Sequence, residues 1–224
     1  MIRPRQLAQD GAADGNVLTW SSSSSRWVPA APSGGGGGGS LVTWTKLLNA
    51  SAMSALTGWT TRTGTWTAGG TYGVNQTAND SDDWLEYGTD LSSYDLRAIE
   101  ATIRITAGQK VGVGFFADAS WNTGGVSVAM DLSANNLWWD RYGTGGGTQS
   151  ISGVTVTANT DYTLKVVERT AGQEFWAYVN GTLVKKIVVS GGSTGRVGLY
   201  SRSGQGWWRS VTVWGGALNF ALPT

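Results

Sequence analysis

Phe175-Trp176-Ala177-Tyr178-Val179-Asn180-Gly181-Thr182-Leu183-Val184 is the stretch that decides the fold. Aromatic and β-branched residues crowd both flanks, as strands prefer. Asn180-Gly181 between them is the favoured pair for a two-residue type I′ turn, because both positions tolerate positive φ. The segment is therefore a β-hairpin. Since neighbours in a strand point to opposite faces, Phe175 and Trp176 send one ring inward and one outward.

Working outward, the same texture recurs. Tyr162 to Arg169, Glu174 to Asn180 and Leu183 to Val189 read as strands around the hairpin, and Val197 to Ser201 and Trp207 to Val213 as two more. Upstream, Glu100 to Thr106 alternates polar and apolar residues, and Val111 to Phe116 follows, with Ala107-Gly108-Gln109 read as a turn between them. Gly125 to Leu132 and Leu137 to Tyr142 complete the series. Short strands at regular spacing with Gly, Asn and Asp between them predict an antiparallel sandwich or barrel. Only Lys46 to Leu56 has the Ala, Leu and Met content of a helix.

Gly34 to Gly39 divide the chain very unequally. Glycine runs behave as flexible coil, and this one lacks the Lys-Ser/Thr end and strand-to-helix setting of a phosphate-binding loop. The layout is a segment over residues 1–32, a Gly-rich linker over 33–40 and a body over 41–224. Chains below about 40 residues seldom build a sufficient core alone. Yet the segment carries Leu7, Val17, Leu18, Trp20, Trp27 and Pro29, more apolar surface than a solvated leader needs. Its two arms, Asn16 to Trp20 and Arg26 to Pro29, flank five serines and read as a small hairpin. These residues are the candidate anchor, buried between chains.

Composition removes several chemistries. Cysteine and histidine are both absent, which excludes disulfides, thiolate metal sites and the Ser-His and Cys-His nucleophile systems. Net charge is +1 with no basic run, so no nucleic-acid footprint is expected. No apolar stretch approaches the ~20 residues of a membrane span, and no apolar signal region follows Met1, so synthesis in a cytoplasm without export is expected.

The order Leu-x-x-x-Gly-Ala-x-x-Gly-x-Val-Leu-x-Trp…Trp-x-Pro, Leu7 to Pro29, resembles segments of phage tail-fibre and minor tail proteins. The resemblance implies attachment to a receptor-binding domain, often in a trimer. The body resembles the concanavalin A-like, laminin-G-like jelly roll. Tyr162 to Val166 followed by the Asn-Gly hairpin, and Gly195 to Ser201 followed by Trp208 to Val213, match that family's strands. The fold class expected is thus an all-β, concanavalin A-like jelly-roll β-sandwich.

Some relatives of that fold hydrolyse glycosides with two carboxylates about 5–5.5 or 6.5–9.5 Å apart. Here the glutamates are Glu86, Glu100, Glu168 and Glu174, none in a clustered motif. Asp82 and Glu86 lie four residues apart on a strand, about 13 Å by backbone. A catalyst is therefore not expected. Asp80, Asp82 and Asp83, and secondarily Asp118 with Asn122, are the calcium candidates, in loops without an ordered ligand spacing; no other cofactor is expected.

The thirteen tryptophans point elsewhere. Trp44, Trp66 and Trp214 have ordinary packing explanations. Trp138-Trp139 and Trp207-Trp208 each must place one indole on a second face, and Trp121 lies in a loop. Indole faces stack on the C–H side of sugar rings while neighbouring polar groups bind hydroxyls, the usual composition of such a site. Trp121, Trp138, Trp139, Asp140, Arg141, Tyr142 and Trp207 are the candidate glycan-binding residues.

The resulting expectation is a virion structural protein that binds host cell-surface polysaccharide and assembles with other virion proteins and copies of itself. It involves no nucleic acid and no membrane. A capsid decoration or head-fibre protein of the same layout is the alternative reading, and a glycan-degrading enzyme the third. The anchor makes a direct prediction. The full-length chain should be oligomeric by light scattering or particle-bound, and a fragment starting at Leu41 monomeric; a monomeric full-length chain whose first segment stays mobile even on the particle would remove the anchoring role.

Overall fold

A computed structural model describes residues 17–21, 26–30, 42–69, 72–77, 82–116, 125–141, 149–170, 174–189 and 195–218. The chain divides into two compact units, Met1–Leu41 and Val42–Thr224. In the first, β1 (Val17–Ser21) and β2 (Arg26–Ala30) pair antiparallel with Leu18 opposite Pro29 and Trp20 opposite Trp27. The hairpin expected from sequence is there, and Leu7 lies outside the described residues.

The second unit is built from β3 (Val42–Ala50), β4 (Trp59–Thr63), β5 (Trp66–Ala68), β6 (Val74–Gln76), β7 (Asp83–Tyr87) and β8 (Leu96–Phe116). There follow β9 (Val126–Asp131), β10 (Asn136–Arg141), β11 (Gln149–Ile151), β12 (Asp161–Thr170), β13 (Glu174–Val179), β14 (Thr182–Val188) and β15 (Arg196–Leu218). Every pairing among them is antiparallel.

Two strands organise the rest. β8 pairs with β15 from one end to the other, from Leu96 opposite Gly216 to Phe116 opposite Arg196. Their ladder slips at Gln205/Gly206, beside Gly108 and Ser203, both at positive φ. There both strands turn a corner together. The expected turn at Ala107-Gly108-Gln109 is thus a bend inside one strand, and the two closing strands expected after Gly195 are one strand bent at the same place. A left-handed glycine serves either purpose, which is why the local sequence does not distinguish them.

The corner folds one hydrogen-bonded network into two layers. The first carries β11, β10, β9, the second half of β8, the first half of β15, β7 and β4. The second carries β14, β13, β12, the first half of β8, the second half of β15 and β3, with the short pair β6 and β5 beside β15. We call these sheet I and sheet II. Phe115 of sheet I meets Phe175 of sheet II with ring centroids 5.3 Å apart.

Alternation fills the space between them. Ile99, Ile103, Ile105, Leu164, Val166 and Phe175 from sheet II face Val111, Val113, Val128, Leu137 and Leu199 from sheet I, all buried. The core also holds an Arg97–Glu168 ion pair at 2.8 Å, both side chains buried. Trp208 is fully buried, and its Nε1 donates to the Gly112 carbonyl at 2.8 Å, tying the sheet II half of β15 to the sheet I half of β8.

Lys46 to Leu56 is not helical. Val42–Ala50 forms β3 along β15, with Leu47, Leu48 and Ala50 packed against the core; pairing and burial override a short stretch of helix-favouring composition. Trp66 is buried as expected, but Trp44 is exposed and Trp214 half-buried.

Because Trp208 holds both layers, Trp208→Ala should lower stability by about 3–5 kcal/mol. Trp208→Phe should lose less, about the ~1 kcal/mol of one hydrogen bond plus a small cavity. Urea unfolding midpoints at constant slope measure both; an unchanged midpoint in Trp208→Ala would contradict this account.

Candidate functional site

The outer face of sheet I is unusual because it too is buried. Trp84, Phe116, Ala129, Trp138 and Tyr200 form a second apolar cluster, separate from the main core. The register explains how large rings fit there. Trp84, Tyr200, Gly112, Ala129 and Trp138 are successive partners across β7, β15, β8, β9 and β10. The small central pair lets Tyr200 and Trp138 lean over it and stack, with centroids 6.0 Å apart and planes 6° from parallel. In the next row, Glu86, Gly198, Gly114, Ser127 and Asp140 are partners, and glycines again occupy the middle. A Cβ on Gly114 would lie 2.5 Å from the Trp84 ring.

Charged groups line this aromatic floor. Arg202 lies 3.9 Å from both Asp82 and Asp140. Asp82 also accepts a hydrogen bond from the Tyr200 hydroxyl at 2.9 Å. Lys110 pairs with Asp131 at 3.2 Å and sits 4.9 Å over the Trp138 ring. Glu86 is buried between two guanidiniums, Arg62 at 2.7 Å and Arg196. Ser127 Oγ and Trp138 Nε1, both buried, find no hydrogen-bond partner among the described residues.

Burial pushes the Asp140 carboxyl above its ordinary range, and Asp82 adds to the push against the Arg141 N–H, Arg202 and Lys110. At Asp131 burial also pushes upward, but the Ser133 hydroxyl, the Ala134 N–H and Lys110 outweigh it and hold the carboxyl below that range. The site thus sets a buried aromatic layer beneath a guanidinium donor and carboxylate acceptors of unlike basicity. That is chemistry suited to a polyhydroxylated ligand.

The residues named from sequence divide. Trp138, Asp140 and Arg141 belong to β10 on sheet I, and Trp138 and Asp140 share its outer face. Trp139 points the other way into the main core, where it is 7% exposed. Trp138 is 2% exposed. The pairing rule therefore assigns faces correctly, but neither indole presents an open ring, because small residues on adjacent strands let the sheet fold its aromatics down. Trp207 lies on the outer face of sheet II, half-buried against Tyr72, and is not joined to the others. Trp121 and Tyr142 lie outside the described residues.

Of the calcium candidates, Asp80, Asp118 and Asn122 also lie outside them. Asp82 and Asp83 diverge, one to Tyr200 on the outer face and the other to the Gln76 side chain. Among the described residues no group of three or more carboxylates is gathered to hold a metal. Asp82 and Glu86 likewise serve separate partners.

Sequence reasoning missed Trp84, Tyr200, Arg202, Lys110 and Asp131. The legible signal was the Gly112, Gly114 and Gly198 alternation, since glycine in a strand marks close approach by another group.

No family model matches the chain, and no curated protein sequence matches it. Among solved structures it is similar to the carbohydrate binding module CBM66 from Bacillus subtilis, with 23% identity over 70% of this chain and 94% of that one and a TM-score of 0.59. The exoplasmic/lumenal domain of VIP36 in its Ca2+/Man3GlcNAc-bound form gives 9% identity, 80% and 90% coverage and a TM-score of 0.55. The carbohydrate esterase vb_24B_21 from Shiga toxin-encoding bacteriophage phi24B gives 14% identity, 77% and 99% coverage and a TM-score of 0.54. At these identities the likeness is one of fold: Val42–Thr224 is a lectin-like, concanavalin A-like jelly-roll β-sandwich.

The two site carboxyls should titrate on opposite sides of the usual value in carbon-detected NMR. Asp131 stabilises the fold above its unfolded pKa of about 3.9, and that contribution disappears as pH falls through its lower folded value. Asp140 contributes below about 3.9, and its contribution is lost as pH rises through its higher folded value. Asp131→Asn should cost about 3 kcal/mol at pH 7 by leaving Lys110 unpaired, while Asp140→Asn should raise the urea midpoint slightly. Coincident titration would contradict the assignment.

Proposed function

We propose that this chain is a phage virion structural protein whose lectin-like body binds host-surface glycan through the outer face of sheet I. The observation that carries the reading is the Trp84–Tyr200–Trp138 floor beneath Arg202, Asp82 and Asp140. Rings fixed by packing and polar groups fixed by one another lose little freedom when a ligand arrives.

Binding rather than turnover is supported at Glu86, whose two carboxylate oxygens are both engaged by guanidinium N–H groups. The Leu7 to Pro29 pattern supports an anchoring role for the first unit, with the body displayed beyond the Gly34–Gly39 linker. Several copies on one particle turn weak contacts into avidity when the linker lets them engage together.

The test is adhesion of bead-coupled full-length protein to a panel of immobilised bacterial envelope polysaccharides. Saturable binding to at least one, competed by the free polysaccharide and weakened about ten-fold or more by Arg202→Gln, is the expected result. No adhesion at any bead density would leave a capsid decoration role. Release of reducing sugar during the assay would return the chain to the enzymes.

A further inference from the structure

The outer face of sheet II carries a different chemistry. Lys186, Trp176, Val167, Ala98, Trp214 and Lys46 are successive partners across β14, β13, β12, β8, β15 and β3. Five strand spacings of about 4.8 Å make this row about 24 Å wide. Both indoles are half-buried and lie under cations. Arg169 sits 4.0 Å and Lys186 4.4 Å over the Trp176 ring, and Lys165, from the adjoining row, 4.7 Å over Trp214.

The balance of charge on this face is positive. Lys46, Lys165, Arg169 and Lys186 are joined lower down by Arg104 and Arg209, which share Asp161 at 2.6 and 3.3 Å. Against these six cations stand three carboxylates, Glu100, Asp161 and Glu174. Three charges are in excess, in a chain whose whole net charge is +1.

We infer that this face is a second binding surface, independent of sheet I, for an anionic polysaccharide whose carboxylate, phosphate or sulfate groups repeat along the chain. Three features select that ligand. The cations spread across the sheet, Lys186 and Lys46 at the two ends of the row, Lys165 beside it and Arg104 and Arg209 below, matching an extended polymer rather than a single small anion. Each ring holds its cation in place, so the charge is ordered before the ligand arrives. Cations covering the rings also leave no open face for the base stacking on which single-stranded nucleic acid binding relies. Val167 and Ala98 between the two indoles provide the low floor along which a chain would lie.

The test uses full-length protein and two probes that differ only in charge, dextran sulfate and dextran of equal length, by isothermal titration calorimetry. Dextran sulfate should bind with an affinity that falls as salt rises, and dextran should not bind. Lys165→Gln and Lys186→Gln should each weaken binding about ten-fold, the effect of losing one charge-assisted contact. Lys165→Arg and Lys186→Arg should restore it, and unfolding midpoints should stay within a degree or so because these side chains lie outside the core. Equal binding of both dextrans, Gln variants as strong as the parent, or tighter binding of an oligothymidylate than of dextran sulfate would each overturn the inference.

Discussion

The antiparallel ladder between β8 and β15 is the constraint on which everything else depends. Both strands belong to both sheets, and both bend at one corner where Gly108 and Ser203 stand at positive φ. A Cβ on Gly108 would lie 2.2 Å from the Ser203 carbonyl oxygen, so only glycine allows the two backbones to pass so closely. β12 and β9 pair with successive halves of β8, while β3, β6 and β7 pair along β15. The register of that one ladder therefore dictates which side chains on each strand turn inward. The Trp208 hydrogen bond to Gly112 closes the bend from within.

How much of this was legible depends on how local the cause is. The Asn180-Gly181 hairpin was readable because its turn is specified by two adjacent residues; the structure places Phe175 in the core and Trp176 on the outer face. The faces of Trp138 and Asp140 were readable for the same reason, being two residues apart in one strand. Exposure was not. Whether an outward indole stays open depends on what stands on neighbouring strands, and Gly112 and Ala129 reach Trp138 only through register set far away. Arg202 and Lys110 were invisible as site residues because Asp140 and Asp131, their partners, come from other strands. The corner was misread as a turn because the requirement for a left-handed glycine is common to both.

The two outer faces show how one aromatic composition yields two kinds of surface. On sheet I, Gly112, Gly114 and Gly198 remove side chains from the middle of the rows, and the rings fall inward to make a buried floor. Its ions then pair with one another above it. On sheet II, the central positions hold Val167, Ala98, Lys165 and Glu100, whose Cβ atoms keep the rings apart, so Trp176 and Trp214 are covered by cations instead of by each other. Glycine placement, rather than the number of tryptophans, decides which outcome occurs.

Lysines on a sheet also have a defensive use, and the two uses are separable by position. β14 is an edge strand, paired on one side by β13, with Leu183 and Val188 exposed. Lys186 there discourages another chain from adding to the edge, as charged residues on edges do. That explanation fails for Lys165. It stands on β12, paired on both sides by β8 and β13, where no edge needs protecting. Its ion pair with Glu100 is long, at 3.9 Å, with both groups more than a third exposed, so it adds little to stability. A cation held over an indole in the middle of a sheet, away from any edge and without a strong carboxylate partner, is accounted for by what approaches that face from solvent.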